Sequence, residues 1–252
     1  KNMQSKIKKS IVLAGGCGTR LHPLTKTISK QLLPIFNKPV ISFPLQTLKD
    51  MGYVDILIIN ANEEQQKQFK ILLGDGNKFE LNFSYAIQDS PKGLVDAFIV
   101  GEEFIKDADE ICLILGDNVI IGNSPIQPQP NTIYTYKVKD PSAYGVVETD
   151  EDGNIIQIVE KPKEFVSEDA VIGLYVFSNE AVEMAKKVKP SARGELEIVD
   201  LIRLMNDKEG VGVEKLDGFW FDVGDFSSLL DCANLVRTID NRSNHAIGLE
   251  GI

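Results

Sequence analysis

Not one aspartate or glutamate precedes Asp50, although the 252-residue chain carries 37 acidic side chains against 27 lysines and arginines. Nine of those basic groups fall in the first 49 residues, so the remainder sets 18 against all 37 acids. The net charge of -10 disfavours nucleic acid as the main partner. A basic segment on an acidic chain instead suits a small polyanion. No apolar run reaches the roughly 18 residues that a membrane span requires, so no membrane partner is expected. The first ten residues are mostly polar and lysine-rich, and no apolar stretch follows that would read as a secretory signal. Cysteine is scarce. Cys17, Cys112 and Cys232 are odd in number and lack metal-ligand spacing, which points to reduced thiols and a cytoplasmic setting.

What is present is an alternation. Residues 10–14, 54–59, 83–87 and 111–115 are short apolar runs of strand length. Between them, residues 39–51, 63–73 and 94–105 carry helical spacing, with Asn60 or Asn62 as a cap for the second. Strands alternating with helices imply right-handed crossovers and an α/β fold with a doubly wound, mostly parallel sheet. A proline-rich loop at 123–130 changes the pattern. Residues 132–138, 145–149, 155–159 and 170–177 read as strands of a β-rich insertion, with a hairpin turn at 150–154. Residues 180–188 and 196–205 read as helices, 219–223 as a strand and 227–239 as a closing helix.

The glycine run Gly15-Gly16-Cys17-Gly18-Thr19-Arg20 follows the first apolar run directly. Glycines allow a sharp turn and bring amide N–H groups close to phosphate oxygens. Two familiar phosphate patterns fail here. Leu21 stands where a dinucleotide fingerprint needs its third glycine, and no Gly-Lys-Ser/Thr follows. Arg20 offers a planar fork to phosphate and Lys30 a mobile point charge. The glycines alone are also compatible with a plain βα turn, and the two cations favour a triphosphate site. Asp117 lies at the carboxyl end of an apolar run, where open α/β sheets bind ligands. Asp222 lies similarly behind Phe219-Trp220-Phe221. One or two carboxylates, completed by phosphates and water, are what Mg²⁺ commonly uses. The bland alternative for either is a cap or turn former. Gln88 can pair with the edge of a base and Gly93 let backbone approach it, although a surface turn explains both as well. Tyr144-Gly145 and Glu160-Lys161-Pro162 offer a carboxylate for sugar hydroxyls and an ammonium for a sugar phosphate, or only a salt-bridged strand end. The run from Ser191 to Glu197 is a second phosphate contact or a capped helix start.

In this order the motifs resemble the sugar-phosphate nucleotidyltransferases, and within them the glucose-1-phosphate thymidylyltransferases. The resemblance is carried by Gly-Gly-x-Gly-Thr-Arg-Leu-x-Pro at 15–23, Ser-Lys-Gln-Leu-Leu-Pro at 29–34, Leu-Gly-Asp-Asn at 115–118, Glu-Lys-Pro at 160–162 and the run 191–198. It implies a Rossmann-like nucleotidyltransferase fold in one domain. The nucleotide-binding part would span about 6–122, the sugar-phosphate-binding part about 131–225 and a closing helix about 226–242. It implies transfer from dTTP or UTP to a sugar 1-phosphate, with glucose 1-phosphate first among them, Mg²⁺ as cofactor and a homo-oligomeric state. Arg20, Lys30 and Lys161 would be the catalytic cations. The nucleotide would meet Leu13, Gly15, Gly16, Gly18, Thr19, Arg20, Gln31, Gln88 and Gly93. The sugar phosphate would meet Tyr144, Gly145, Glu160, Lys161, Val171, Tyr175 and Arg193, and the metal Asp117 and Asp222. Departures from the family pattern are Cys17 for Ser, Ala or Thr, Val223 for Thr or Ala, and Ile172 for Thr. The alternatives are a same-fold enzyme for another nucleotide or sugar phosphate, and a non-catalytic sugar-nucleotide sensor.

Overall fold

The computed structural model describes residues 6–122, 126–242 and 247–252. The readings above that fall on residues 1–5 and 123–125 lie outside them. Contacts group the described residues into two units. One takes the chain up to Lys9, Lys92–Leu113 and Pro128–Leu216; the other takes Ser10–Pro91, Ile114–Gln127 and the chain from Asp217 on. This differs from the chain-order division expected above. Residues 92–113 join the β-rich stretch, and residues 217–225 join the glycine run. Backbone pairing across long sequence separations is the reason. Leu196 N–H donates to the Lys92 carbonyl at 2.7 Å and Val95 N–H to the Leu196 carbonyl at 3.4 Å. The strand Gly218–Asp222 pairs antiparallel with the strand Asn118–Gly122.

In the unit of the glycine run, the strand Lys8–Leu13 is followed in sheet order by Asp55–Asn60 and Asn82–Ile87. The last two run parallel, Asp55 opposite Asn82 through Asn60 opposite Ile87. Asn62 caps the helix Glu63–Leu73 by accepting from Gln65 N–H at 2.9 Å, whereas Asn60 is wholly buried. The strand Asn118–Gly122 was not foreseen; its register with the later strand sets Asp222 opposite Asn118, next to Asp117. Beneath the glycine run lies an apolar cluster that includes Leu21, Leu33, Ile35, Val40, Phe43, Val119, Val223 and Val236. Each such side chain contributes about 1.5–3 kcal/mol by leaving water. Cys232 sits in the same cluster, and burial pushes its thiol up to about 12.

In the other unit the strands Ile155–Glu160, Gly145–Thr149 and Asp169–Ser178 lie in that order, antiparallel where they pair. Thr132–Lys137 pairs antiparallel with Asp169–Ser178, and a short strand not foreseen, Gly212–Lys215, adds parallel to Thr132–Lys137. The helix expected over 94–105 is two pieces, Asp96–Val100 and Glu102–Ile105, broken at Gly101. The longer helix of this unit is Ile198–Glu209. The α/β class and its antiparallel β-rich insertion follow the sequence pattern.

Candidate active site

The glycine run leaves the strand Lys8–Leu13 and enters a single helical turn, Thr19–Leu21. Gly18 turns the chain with φ +60°, a conformation that an L side chain adopts at a cost. Two glycines also make room for Lys30. A side-chain carbon on Gly16 would come within 3.2 Å of Lys30 Cε, and one on Gly18 within 3.2 Å of Lys30 Cβ. Lys30 thus passes across the loop and pairs through its ammonium with the Asp117 carboxylate. Both side chains are 13% exposed. Asn118 donates to the other Asp117 oxygen at 3.1 Å and accepts the Trp220 indole N–H at 2.7 Å.

Asp222 shares this environment. Burial, and then the negative charge of Asp117, raise its pKa to about 6 against the opposing pull of Lys30 and Arg20. Val223 N–H donates to the Asp117 carbonyl at 3.0 Å, which ties the two aspartate-bearing segments backbone to backbone. Asp117 and Asp222 are therefore the groups that could hold a divalent cation. Among the described residues no cluster of three or more ligating side chains exists. Two carboxylates with a charge conflict fit an ion completed by phosphate oxygens and water, as Mg²⁺ is. Arg20 is exposed, and among the described residues its guanidinium donates no hydrogen bond and makes no ion pair. Leu13, Gly15 and Gln88 are half-buried. Gln88 stands at the end of the strand Asn82–Ile87, its N–H donating to the Asn60 carbonyl at 2.9 Å.

Two expected nucleotide contacts have packing partners of their own. Gln31 is 1% exposed, accepts the Ser29 hydroxyl and packs where a side chain on Gly116 would be 3.2 Å from its Cγ, so it braces the loop from inside. At Gly93, φ is +104° and a side-chain carbon would stand 2.4 Å from the Leu196 carbonyl oxygen. The close backbone of Leu196 leaves no room for a side chain at this position.

The sugar-side candidates gather in the β-rich unit. Gly145 lies opposite Glu160 in the hairpin, and Lys161 N–H donates to the Tyr144 carbonyl at 2.9 Å. Lys161 holds φ +46°, and among the described residues its ammonium has no hydrogen-bond partner. Arg193 reaches Glu160 at 3.3 Å and forks onto Glu197 with two contacts of 2.8 Å. Burial, and then Glu197, push the Glu160 carboxyl up, while Lys161 and Arg193 pull it down. Val171 and Tyr175 are buried in the strand Asp169–Ser178, and Tyr175 stacks on Phe177 with centroids 6.4 Å apart.

Three residues of the arrangement were missed. Glu197, 8% exposed, also accepts the Ser191 hydroxyl at 2.7 Å, so it is the anchor of Arg193. Nothing in Glu195-Leu196-Glu197 distinguishes it from Glu195 by type. Asp225 caps the helix Phe226–Asp240 in a reciprocal box with Ser228, a spacing that was readable. Gly224 is buried directly under the Arg20 guanidinium.

The nucleotidyl transferase family profile matches residues 9–238. The glucose-1-phosphate thymidylyltransferase of Neisseria meningitidis is 48% identical, over 97% of this chain and 88% of that protein. That of Xanthomonas campestris is 44% identical, over 93% and 82%. Among solved structures, a Bacillus anthracis protein assigned as a glucose-1-phosphate thymidylyltransferase and solved with sucrose superposes with a TM-score of 0.84 at 34% identity, covering 95% of this chain and 97% of that one. A UDP-glucose pyrophosphorylase complexed with UDP-glucose gives 0.80 at 27% identity, over 92% and 99%. A chain with a glycine run carrying two cations beside a pair of aspartates, matched over most of its length by such relatives, belongs to the nucleotidyl transferase family and is a nucleotidyltransferase enzyme.

Proposed function

We propose that the enzyme couples dTTP, or UTP, to glucose 1-phosphate, giving the nucleoside-diphosphate sugar and pyrophosphate. The observation that carries this reading is the convergence of Lys30, Asp117 and Asp222 behind the glycine run, with the guanidinium of Arg20, which donates no hydrogen bond among the described residues, beside them. A sugar-phosphate oxygen attacks the α-phosphorus in line, and the bond from that phosphorus to the bridging oxygen of pyrophosphate breaks. A phosphate monoester is already a nucleophile at neutral pH, so no general base is needed. The difficulty is charge, because two anions must meet. Positioning and electrostatic stabilisation supply the catalysis. Arg20 would cover the triphosphate and the departing pyrophosphate. Lys161, whose ammonium has no hydrogen-bond partner among the described residues, would draw in the sugar phosphate, and Glu160 would accept from sugar hydroxyls. Asp117 and Asp222 would hold Mg²⁺, which supplies neutralising charge to the nucleotide phosphates. The relatives named for glucose-1-phosphate thymidylyl transfer favour dTTP, and the pyrophosphorylase neighbour keeps UTP beside it.

A product assay over dTTP, UTP, CTP and ATP against glucose 1-phosphate and other hexose 1-phosphates tests this. The expected result is pyrophosphate release in the presence of Mg²⁺, fastest with dTTP or UTP and glucose 1-phosphate. Release with none of these pairs would reject the reading, and a preference for another nucleotide or sugar would correct the substrate.

A further inference from the structure

The turn Asp222-Val223-Gly224-Asp225 raises a question that its aspartates do not answer: why its third residue has no side chain. Backbone strain is not the reason, since Gly224 is not among the residues with positive φ. Space is. A side-chain carbon at Gly224 would lie 2.4 Å from Arg20 Nη2 and 3.2 Å from Arg20 Cζ. The Nη2 end of the guanidinium therefore lies against bare backbone. No alternative anchor holds it there. Among the described residues Arg20 donates no side-chain hydrogen bond and has only electrostatic attraction to Asp222 and Asp225.

The backbone below the guanidinium is fixed on every side. Gly224 N–H donates to the Asp222 carbonyl at 2.9 Å and Val223 N–H to the Asp117 carbonyl at 3.0 Å. Asp225, next in the chain, is locked into the capping box with Ser228, at 2.9 Å for its side chain and 3.2 Å for its N–H. Val223 is buried in the apolar cluster. An added methyl group could not be relieved by retreat of this turn, so the arginine would have to move. An arginine reads phosphate through a rigid planar fork, and displacement by about 1 Å is enough to cost such an interaction heavily.

We propose that Gly224 is a positioning residue for Arg20. Its missing side chain seats the guanidinium at a fixed distance from the Asp222 carboxylate, so that one turn sets both the metal-binding oxygen and the phosphate-binding fork. This rests on the reading of Arg20 as a triphosphate contact. The same turn then explains why Asp222 and the glycine stand two residues apart: the carboxylate and the seat face one polyphosphate.

The test is a double-mutant cycle on the full chain, read as kcat and as KM for the nucleotide, with pyrophosphate affinity measured by calorimetry in Mg²⁺. Gly224→Ala in the wild-type background is expected to lower kcat by about 10–100-fold and to weaken pyrophosphate binding. In the Arg20→Ala background, where the space is empty, the same substitution is expected to change neither by more than about twofold. Losses that multiply in the double variant would overturn the proposal, because the glycine would then serve the backbone and not the arginine. A Gly224→Ala enzyme with wild-type kcat and pyrophosphate affinity would also overturn it. If Gly224→Ala alone does not fold, Arg20→Ala/Gly224→Ala decides: a folded double variant supports the clash with Arg20, and an unfolded one beside a folded Arg20→Ala overturns it. An Arg20→Ala enzyme that keeps full activity would instead sink the role of Arg20 itself, a different outcome from additivity.

Discussion

Arg20 meets Asp222 and Asp225 electrostatically yet donates a hydrogen bond to neither, so its donors are available to a ligand. Removing one donor of this kind costs about 2.7–4 kcal/mol of barrier. Arg20→Ala is expected to lower kcat by about 10²–10³ at saturating substrate, read by pyrophosphate release. Asp222 makes an opposite kind of prediction. Its pKa stands at about 6 in the fold against an ordinary 3.8, because burial and then Asp117 disfavour its charge. The native state thus binds the proton more tightly than the unfolded chain, so stability is full below about 3.8 and falls as pH rises towards about 6. Asp222→Asn removes that loss. In chelator the variant is expected to be more stable than wild type at pH 7.5, by on the order of 3 kcal/mol, and equal to it near pH 4. Equal melting at both pH values would show that the carboxylate is not held at a cost. Residue type and position made the gathering of Arg20, Lys30, Asp117 and Asp222 readable from sequence, since each stands in a loop or at a strand end of the same unit. Burial was not readable. Gln31, Val171 and Tyr175 carry suitable chemistry but sit inside, and sequence has no signal for which side of a loop or strand a residue faces when both sides are covered.

At the scale of elements, the helix Phe226–Asp240 closes over the apolar cluster through Cys232 and Val236, and its first turn is fixed by Asp225 and Ser228. Asp225→Ala removes the side-chain acceptor for Ser228 N–H. The expected cost is about 1 kcal/mol, within a range of roughly 0.5–2, measured by denaturant unfolding. Amide exchange should quicken in the first turn of this helix ahead of its last. Uniform exchange along the helix would show that the cap does not hold that end. Gly93 argues similarly from backbone. With φ +104° and Leu196 crowding its position, Gly93→Ala should destabilise by more than the roughly 1 kcal/mol typical of a lost cap, and should do so in a variant without nucleotide. Longer elements were legible because apolar spacing repeats within them. The strands Asn118–Gly122 and Gly212–Lys215 were not, being short and defined by partners 100 and 80 residues away in the chain. The break at Gly101 was missed because the apolar spacing continues through it.

For the whole chain, the charge record of the sequence turns out to be local. An acid-free first 49 residues supply Arg20 and Lys30, and the acidic remainder supplies Asp117, Asp222 and Asp225. Two cations face three carboxylates, which leaves the cluster one positive charge short of balance before any ligand binds. Lys30 carries most of that compensation because it pairs directly with Asp117 at low exposure. Breaking a buried pair from one side leaves an uncompensated charge, and the penalty is on the order of 3 kcal/mol. Lys30→Met should therefore melt several degrees below wild type in chelator, since each kcal/mol moves a chain of this size by roughly 2–4 °C. The same substitution frees the Asp117 carboxylate. If Asp117 and Asp222 bind a divalent cation, Mg²⁺ should raise the melting temperature of Lys30→Met by more than it raises that of wild type, because the ion replaces the missing charge without displacing a lysine. Melting curves of both proteins over a Mg²⁺ series measure this directly, without substrate or turnover. A smaller Mg²⁺ shift in the variant than in wild type would mean that Lys30 supports the cation instead of competing with it, and would reject the exchange of one positive charge for another at Asp117.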